Sequence, residues 1–400
     1  MRVLFITPRF PYPPHRGDQS VAFHRIRTLA GRHEITLVTL YENEKELEGL
    51  PELEKYCHEI HCFHHSSWKG IRNVALYGGF SRLPLQVLYF KSRAMEQCLK
   101  SFAKGPSFDL VHGVLLRMAP YLQSFKAPRL LDLNDSMVLN VSRQVEVMRG
   151  PKKWFYQHEL SRLRSFEARL SQFSEKVILV SELDRTFFPG QEAAVIPLGV
   201  EEPQASPLHP QGEGPIIAFS GNMDYAPNQD AVRWFLESCW EELSRVFPKA
   251  QFWVIGRHDS PVVRSFGNIP GCKVWGFVPD LMAILQQAHL AIAPMQTGSG
   301  MQFKILEAMA CGLPVVTSTL GMGTIKVTPG QELFVADSPE AMIETATRLW
   351  MAPELRERVG REAQAFVRRN HTWEASGDRV DAIYQELSTA ATAIPSEALP

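Results

Sequence analysis

The sequence predicts an α/β fold in which two domains each contain a parallel β-sheet. Short apolar runs, typical of strands buried on both faces, alternate with helical segments through most of the 400 residues. The alternation stops at residues 201–215, a stretch with four prolines, two glycines and no periodicity, and then starts again. A chain of this length fits two domains of ordinary size. We therefore expect two Rossmann-like β/α/β domains that face a central cleft.

The first domain is predicted to span residues 1–200. It opens with a buried strand, a loop rich in proline and charge, a helix that ends at Gly31 and a second strand, which together form one βαβ unit. The predicted strands lie at residues 3–7, 34–40, 109–112, 129–133 and 176–180, and the predicted helices at 19–30 and 152–171; residues 194–200 close the domain.

The second domain is predicted to span residues 201–373, and we expect a helix at 374–400 to pack back on the first domain. Its predicted strands lie at residues 215–220, 250–255, 274–278, 290–293, 315–317 and 334–336, with helices at 228–237 and 281–287. Open α/β sheets bind ligands beyond the carboxyl ends of their strands. The loops that follow the strands are therefore the candidate site segments.

Composition excludes several classes of protein. The formal net charge of −1 gives no bulk attraction to nucleic acid. The six cysteines are scattered without paired spacing, so reduced thiols and a cytoplasmic protein are expected rather than a disulfide framework or a zinc site. The first residues are too short an apolar run for a signal peptide, and no run of about 18 apolar residues is present to span a membrane.

The most informative segment is residues 298–316, which reads as a glycine loop, a helix, a glycine stop and a strand. Gly298 and Gly300 permit close backbone approach by a ligand, and the helix that follows offers free N–H groups to an anion. Lys304 adds a positive charge, and Glu307 lies three residues later on the same helix face. A phosphate near the loop and a sugar hydroxyl near the carboxylate would satisfy this layout. The alternative is an ordinary glycine turn with a surface ion pair.

The order of residues in this segment, with Glu-Ala-Met-Ala-x-Gly-x-Pro-Val-Val at 307–316, resembles the donor-binding signature of the retaining glycosyltransferases of group 1 (GT4). The resemblance covers nearly the whole chain and implies a GT-B fold. It also implies transfer of a sugar, with retention, from a nucleotide diphosphate-sugar donor to an acceptor hydroxyl in polysaccharide or glycolipid assembly. Residues 220–228 are similar to the subgroup associated with exosortase (PEP-CTERM) loci.

The resemblance also implies a set of donor-binding residues. The loop with Arg16 and Gly17 would close over the donor phosphate, and Glu307 would hold the ribose hydroxyls. Two segments depart from the family pattern: the Arg and Lys expected after Gly221 are absent, and the first glutamate of the usual pair is replaced by Ser299. Lys304 and Arg257 are the expected substitutes for the missing charge. The remaining predicted donor contacts are Gly221, Asn222, Phe277, Val278, Gly298, Ser299, Gly300, Met301 and Gln302.

Two residues of the first domain are candidate catalytic groups. His112 follows a strand where related enzymes place a histidine against the sugar, although the second histidine of the usual His-x-His is missing. The alternative is a packed histidine in the core. Asp135 ends the next strand and either binds an acceptor hydroxyl or caps a helix. Arg117 is a further polar candidate nearby. Asn228 in the second domain is interpreted as a helix cap, and Asp18 as the cap of the first helix if its loop is a simple turn.

No Asp-x-Asp sequence occurs in the chain, so the diphosphate is expected to be neutralised by a helix dipole and basic side chains without a metal or other cofactor. Two other functions stay open. A nucleotide-sugar epimerase or hydrolase of similar fold would act on the donor alone. A non-catalytic sugar-binding protein is the third candidate, because part of the family's site pattern is missing.

A membrane-contact hypothesis rests on residues 149–156, where three basic residues adjoin three aromatic residues. Arg162, Arg164 and Arg169 extend the positive charge along the following helix, and such segments suit an anionic bilayer surface at the inner face of the membrane. The alternative is a solvated helix with its aromatic residues in the core, which Glu159 and Glu167 favour.

Overall fold

The computed structural model describes residues 1–14, 16–203, 214–297 and 302–392. The chain divides into two compact units. The first unit comprises Met1–Pro197 and Trp373–Pro400, and the second comprises Leu198–Thr372. Both are α/β units with parallel sheets. Within the described residues, no helix is long and apolar enough to cross a bilayer.

Each unit is built on one parallel sheet. The first sheet has the order β3-β2-β1-β4-β5-β6-β7 and the second has the order β10-β9-β8-β11-β12-β13. The strands are β1 Arg2–Thr7, β2 Glu34–Tyr41, β3 Glu59–His64, β4 Leu110–Val114, β5 Arg129–Asn134, β6 Lys176–Leu179, β7 Ala193–Val195, β8 Ile216–Ser220, β9 Gln251–Ile255, β10 Cys272–Gly276, β11 Leu290–Ala293, β12 Val315–Thr317 and β13 Phe334–Val335.

The α-helices connect the strands and cover both faces of each sheet. They are α1 Gly17–Leu29, α2 Leu50–Leu53, α3 Ser67–Tyr77, α4 Leu85–Tyr89, α5 Arg93–Phe102, α6 Ala119–Leu122, α7 Met137–Val147, α8 Pro151–Glu167, α9 Glu182–Arg185, α10 Ala226–Phe235, α11 Glu241–Val246, α12 Pro261–Phe266, α13 Leu281–Leu285, α14 Phe303–Ala310, α15 Thr319–Met322, α16 Pro339–Met351, α17 Pro353–Asn370 and α18 Trp373–Thr392.

The apolar runs of the central strands explain why both faces of each sheet are covered. Successive side chains of a strand point to opposite faces, so a strand with no polar residue needs an apolar layer on each side. In β1, Leu4 and Ile6 belong to one core cluster and Val3 and Phe5 to the other. In β8 the same division separates the residue pair Ile217 and Phe219 from the pair Ile216 and Ala218.

Sheet order determines where a ligand can bind. In the first sheet the order reverses between β1 and β4, and in the second it reverses between β8 and β11. At such a switch point the loops leaving neighbouring strands diverge and open a crevice at the carboxyl ends. In the second unit this point lies beside β11, whose carboxyl end leads through residues 294–302 into α14. The predicted donor motif therefore lies at the switch point of the second sheet.

The last helix packs on the first unit. Trp373 of α18 stacks on His24 of α1 with ring centroids 4.3 Å apart. Arg25 of α1 is fully buried, and its guanidinium lies 3.2 Å from Asp132 Oδ2 and donates to Ser376 Oγ at 2.5 Å. A buried charge needs such partners because burial removes its hydration.

Candidate functional site

Three glycine loops meet at the carboxyl ends of β8, β9 and β10 in the second unit. The Gly221 N–H donates to Ile255 O at 2.9 Å, and the Gly256 N–H donates to Gly276 O at 2.9 Å. All three glycines have positive φ, at 152°, 144° and 71° in chain order. A Cβ on Gly256 would lie 1.8 Å from Gly221 O. Any side chain there would collide with backbone, so the loops can pack this closely only as glycine.

The loop after β8 is held by its own side chains. Asn222 Oδ1 accepts from the Asp224 N–H at 3.0 Å, and Asn222 O accepts from Asn228 Nδ2 at 2.8 Å. The interpretation of Asn228 as a helix cap is wrong. Tyr225 is the N-cap residue of α10, and Asn228 lies inside the helix, where its amide reaches back to the loop.

Lys304 lies directly over this loop. A Cβ on Gly221 would be 3.2 Å from Lys304 Cε, and the ammonium group is 5.7 Å from the centroid of the Phe219 ring. Lys304 Nζ donates to Gln302 Oε1 at 2.6 Å. Burial lowers the pKa of Lys304 to about 8, against the opposing effect of Glu307. The ammonium group therefore occupies a poorly hydrated position beside backbone that a ligand can approach.

Glu307 follows one turn later on α14. Burial raises the pKa of its carboxyl to about 7, and the charge of Lys304 acts in the opposite direction. Within the described ranges neither side chain has an ion-pair partner within 4.0 Å. Ionisable groups with shifted pKa values and no ion-pair partner are candidates for a binding site, and the predicted roles of Lys304 toward an anion and of Glu307 toward hydroxyls stay predictions.

The remaining predicted donor contacts divide into two groups. Gly298, Ser299, Gly300 and Met301 lie outside the described residues, whereas Gln302 is the N-cap residue of α14. Phe277 is exposed after β10, and Val278 is partly buried against the core of the second unit.

Arg257 follows β9 and is already engaged in part. Its Nε lies 3.5 Å from Asp224 Oδ2, and about half of its side chain is exposed. Asp224 Oδ1 also accepts from the Asp259 N–H at 2.9 Å. This aspartate, which the sequence did not single out, therefore ties the loops after β8 and β9 together and competes for the guanidinium charge.

In the first unit, Arg16 is the N-cap residue of α1 and Gly17 is the first helical residue. Asp18 is therefore not the cap of this helix; its carboxylate pairs instead with Arg9. The Arg16 carbonyl accepts from the Ser20 N–H at 2.8 Å, as expected for the start of a helix. The predicted contact of Arg16 and Gly17 with a donor phosphate stays a prediction.

His112 is a core residue and does not line an open site. It lies within β4 and is fully buried, with its Nδ1 at 2.7 Å from the Tyr384 hydroxyl and its ring 4.3 Å from that of Phe5. Burial lowers the pKa of His112 to about 3, and Arg25 adds to this effect, so the imidazole is neutral. The prediction of a catalytic His112 is therefore wrong, and the alternative, a packed histidine in the core, is what the structure has. Its hydrogen-bond partner Tyr384 belongs to α18.

Asp135 lies after β5, among polar groups that the sequence did not reveal. Its carboxylate accepts from Asn140 Nδ2 at 2.6 Å, and burial raises its pKa to about 6. It does not cap α7, because Ser136 is the N-cap residue and accepts from the Leu139 N–H. Glu167 of α8 accepts from Ser136 Oγ at 3.0 Å, and burial raises its pKa to about 7.

Arg117 completes the polar groups of the first unit. Its guanidinium lies 4.5 Å from the centroid of the Phe90 ring, and that of Arg9 lies 5.5 Å from the same ring. Burial lowers the pKa of Arg117 to about 10, and the positive charge of Arg9 contributes to the shift. No local sequence signal joins Phe90 to Arg117, because they come from separate elements that meet only in the folded unit.

Residues 214–351 match the family model described as glycosyl transferases group 1. The chain is 20% identical over 360 residues to an uncharacterised 44.6 kDa protein in the cps region of Klebsiella pneumoniae, covering 84% of this chain and 87% of that protein. It is 26% identical over 214 residues to the GDP-mannose-dependent monoacylated alpha-(1-6)-phosphatidylinositol monomannoside mannosyltransferase of Corynebacterium glutamicum. That match covers 48% of this chain and 55% of the enzyme, so the chain spans about half of the enzyme's length.

Among solved structures, the chain is similar to Anabaena HepE in complex with UDP and glucose. The TM-score is 0.65 at 14% identity, over 96% of this chain and 99% of that one. Together with the two parallel-sheet units, this likeness shows a GT-B fold. The family match and the mannosyltransferase relative show that the protein is a glycosyltransferase.

Proposed function

We propose that this glycosyltransferase moves a sugar from a nucleotide diphosphate-sugar to an acceptor hydroxyl, with retention at the anomeric carbon. The observation that carries the proposal is the position of Lys304 over Gly221, one turn before Glu307, at the switch point of the second sheet. UDP is bound in the HepE structure, which supports a nucleotide diphosphate as the leaving group. The second unit would bind the donor and the first unit the acceptor.

In this proposal the second unit recognises the donor in three parts. Lys304, assisted by Arg257, faces the diphosphate, where negative charge develops as the glycosidic bond breaks. Glu307 accepts from the ribose hydroxyls. The backbone at Phe277 and Val278 contacts the edge of the base. The close packing of Gly221 and Gly256 leaves backbone rather than side chains facing the ligand.

The reaction exchanges one carbon–oxygen bond for another. The bond from the anomeric carbon to the diphosphate oxygen breaks with its electron pair on the diphosphate. A new bond forms from the acceptor oxygen to the same face of the sugar, and the acceptor proton passes to the leaving phosphate. Asp135 would accept a hydrogen bond from the acceptor, since at neutral pH its carboxyl, with a pKa of about 6, is largely ionised.

We propose that no divalent cation takes part. Neutralisation of the diphosphate would come from Lys304, from Arg257 and from the N-terminal end of α14. The test is turnover after exhaustive treatment with EDTA: unchanged turnover supports the proposal, and activity that returns only with added Mg²⁺ or Mn²⁺ contradicts it.

The acceptor is proposed to be a growing glycan or a lipid-linked hydroxyl, used at the cytoplasmic face of the membrane. The name of the Corynebacterium relative specifies a phosphatidylinositol mannoside acceptor, and the Klebsiella relative is described by its cps region. These relatives support the acceptor class only. An assignment to the exosortase-associated subgroup rests on residues 220–228 alone and stays a prediction.

The deciding experiment is a panel of UDP-, GDP- and other nucleotide sugars. Thermal stabilisation identifies the donor, because a ligand present at a hundred times its Kd adds about 2.7 kcal/mol to the free energy of unfolding. Product analysis with donor alone and with donor plus glycan or lipid acceptors then identifies the reaction. Product that forms only with acceptor supports transfer. Isomerised or hydrolysed donor without acceptor supports the epimerase or hydrolase alternative. If no product forms under any condition, the result supports the alternative of a non-catalytic sugar-binding protein.

A further inference from the structure

Helix α3 of the first unit presents large apolar side chains to solvent. Trp68 is 79% exposed, and Phe80, just after the helix, is 94% exposed. Ile71 and Leu76 are also exposed. Single exposed apolar residues are common on proteins, but several large ones on one short helix mark an interaction surface.

The exposed residues share one face of the helix. Trp68, Ile71, Arg72, Ala75 and Leu76 are spaced at i, i+3, i+4, i+7 and i+8, and all are exposed. We call these five residues together with Phe80 the α3 surface. An amphipathic helix on a globular protein normally directs such an apolar face into the core, and here it is directed away from it.

Contacts on the opposite side hold α3 in this orientation. A Cβ on Gly70 would lie 2.4 Å from the Tyr89 ring, so the helix approaches α4 as closely as glycine allows. Asn73 Nδ2 donates to Lys91 O at 2.8 Å, and the Ser66 hydroxyl caps the N-terminus. Turning the apolar face inward would break these contacts, so its exposure is a property of the folded unit.

The charge of α3 indicates the partner. The helix carries Lys69 and Arg72 and no acidic residue, and the ammonium of Lys91 lies 5.8 Å from the centroid of the Tyr77 ring. Protein interfaces are depleted in lysine at their core. Anionic lipid headgroups, in contrast, attract Lys and Arg, while Trp and Phe enter the boundary between headgroups and acyl chains.

Helix α8 is joined to the C-terminal end of α3. Arg162 donates to Gly78 O, and Glu159 Oε1 accepts from the Leu85 N–H at 2.6 Å. Earlier in α8, Trp154 is 73% exposed and Phe155 is also exposed. The sequence left open that the three aromatic residues of 149–156 lie in the core. Of these three, only Tyr156 packs, in part, against the core.

We propose that the α3 surface is the site at which this protein binds an anionic lipid bilayer, with α3 lying in the headgroup plane. The aromatic residues of α8 would be an accessory contact. The proposal places the main contact on a segment different from residues 149–156, and it does not depend on the identity of the donor or acceptor. Glycosyl transfer to a water-soluble acceptor and binding of the protein to a bilayer can therefore be tested independently of each other.

The experiment is cosedimentation of the full chain with vesicles of phosphatidylglycerol or of phosphatidylcholine. We expect binding to phosphatidylglycerol at low salt and little binding to phosphatidylcholine. The double variant Trp68→Ser/Phe80→Ser should lose at least tenfold in partitioning. Lys69→Glu/Arg72→Glu should lose about fivefold for each charge removed, since a Lys or Arg near an anionic surface contributes about 1 kcal/mol.

The matched control is Leu320→Ser/Met351→Ser, which removes exposed apolar side chains of the second unit and should leave partitioning unchanged. Unchanged far-ultraviolet circular dichroism and Tm establish that the variants fold, as expected for exposed positions. The proposal is overturned by wild-type protein that ignores phosphatidylglycerol vesicles, or by full binding of Trp68→Ser/Phe80→Ser. It is also overturned if that variant abolishes a dimer seen by light scattering while vesicle binding is absent, which would assign the surface to a second copy of the chain.

Discussion

The two units carry polar residues at the carboxyl ends of equivalent parallel sheets, but these residues are prepared for different tasks. In the second unit, backbone glycines pack against one another, and neither Lys304 nor Glu307 has an ion-pair partner within 4.0 Å in the described part of the chain. In the first unit, carboxylates are already bonded to protein groups, as Asp135 is to Asn140 and Glu167 to Ser136. The second unit therefore has charged groups that the proposed donor would pair, whereas the carboxylates of the first unit are already hydrogen-bonded to protein groups.

The largest expected effect concerns Lys304→Ala. If the ammonium stabilises the leaving diphosphate, kcat should fall about 10²–10³-fold, as for the loss of one donor to a developing oxyanion. Steady-state kinetics measure the change in kcat, and a thermal melt measures the change in stability. A variant that melts at a lower temperature yet retains full kcat would make Lys304 a structural residue and remove the distinction between the units.

Glu307→Gln should raise the KM for donor about 10–150-fold, corresponding to roughly 1.5–3 kcal/mol for hydrogen bonds to a charged group. The pH dependence sharpens this prediction. Because the pKa of Glu307 is about 7 and that of Lys304 about 8, kcat/KM should fall as the pH drops through 7 and again as it rises through 8. The variant should lose the acid limb. A profile that is flat from pH 6 to 9 contradicts both assignments.

Gly256→Ala tests whether the close packing of the glycine loops matters. The new Cβ would lie 1.8 Å from Gly221 O at a φ of 144°, so the free energy of unfolding should drop by about 1–3 kcal/mol and donor affinity should drop with it. Gly31→Ala is the matched control, because a Cβ there meets nothing within 4 Å. If the two variants have equal Tm values, the close packing of the glycine loops does not contribute to stability.

The smallest effect is expected for Asp135→Asn in the first unit. Burial already disfavours its charge, so the amide should keep the Tm at pH 7 unchanged or raise it slightly. The KM for acceptor should rise about tenfold or less, with the donor KM unchanged. An effect confined to the donor KM would contradict the division of substrates between the units.

The position of Lys304 and Glu307 on one helix after a buried strand was predictable because these residues are contiguous. A single segment contains Lys304 and Glu307, and glycine followed by a helix after a buried strand leaves a clear pattern. The central strands were predictable for the same reason, since strands buried on both faces are unbroken apolar runs.

The first unit was less predictable because its signals are weak or distributed. The edge strand β3, with the sequence Glu-Ile-His-Cys-Phe-His, was missed because its half-buried residues form no apolar run. The environment of His112 depends on Tyr384, which lies 272 positions away. No local pattern reveals such a pair, so a strand-end histidine could not be distinguished from a core residue. Asp18 and Asn228 were misjudged as caps because their helices begin earlier than predicted, with N-caps at Arg16 and Tyr225, two and three residues before them.

The packing of α18 on α1 has a consequence for how the protein is made. A ribosome completes β1 and α1 early, but Ser376 and Tyr384, which contact buried Arg25 and His112, emerge only after the entire second unit has been synthesised. Until then the face of α1 that meets Trp373 remains open to water and to other nascent chains. A recombinant first domain should therefore be produced as residues 1–197 fused through a short linker to the final helix, rather than as an N-terminal fragment.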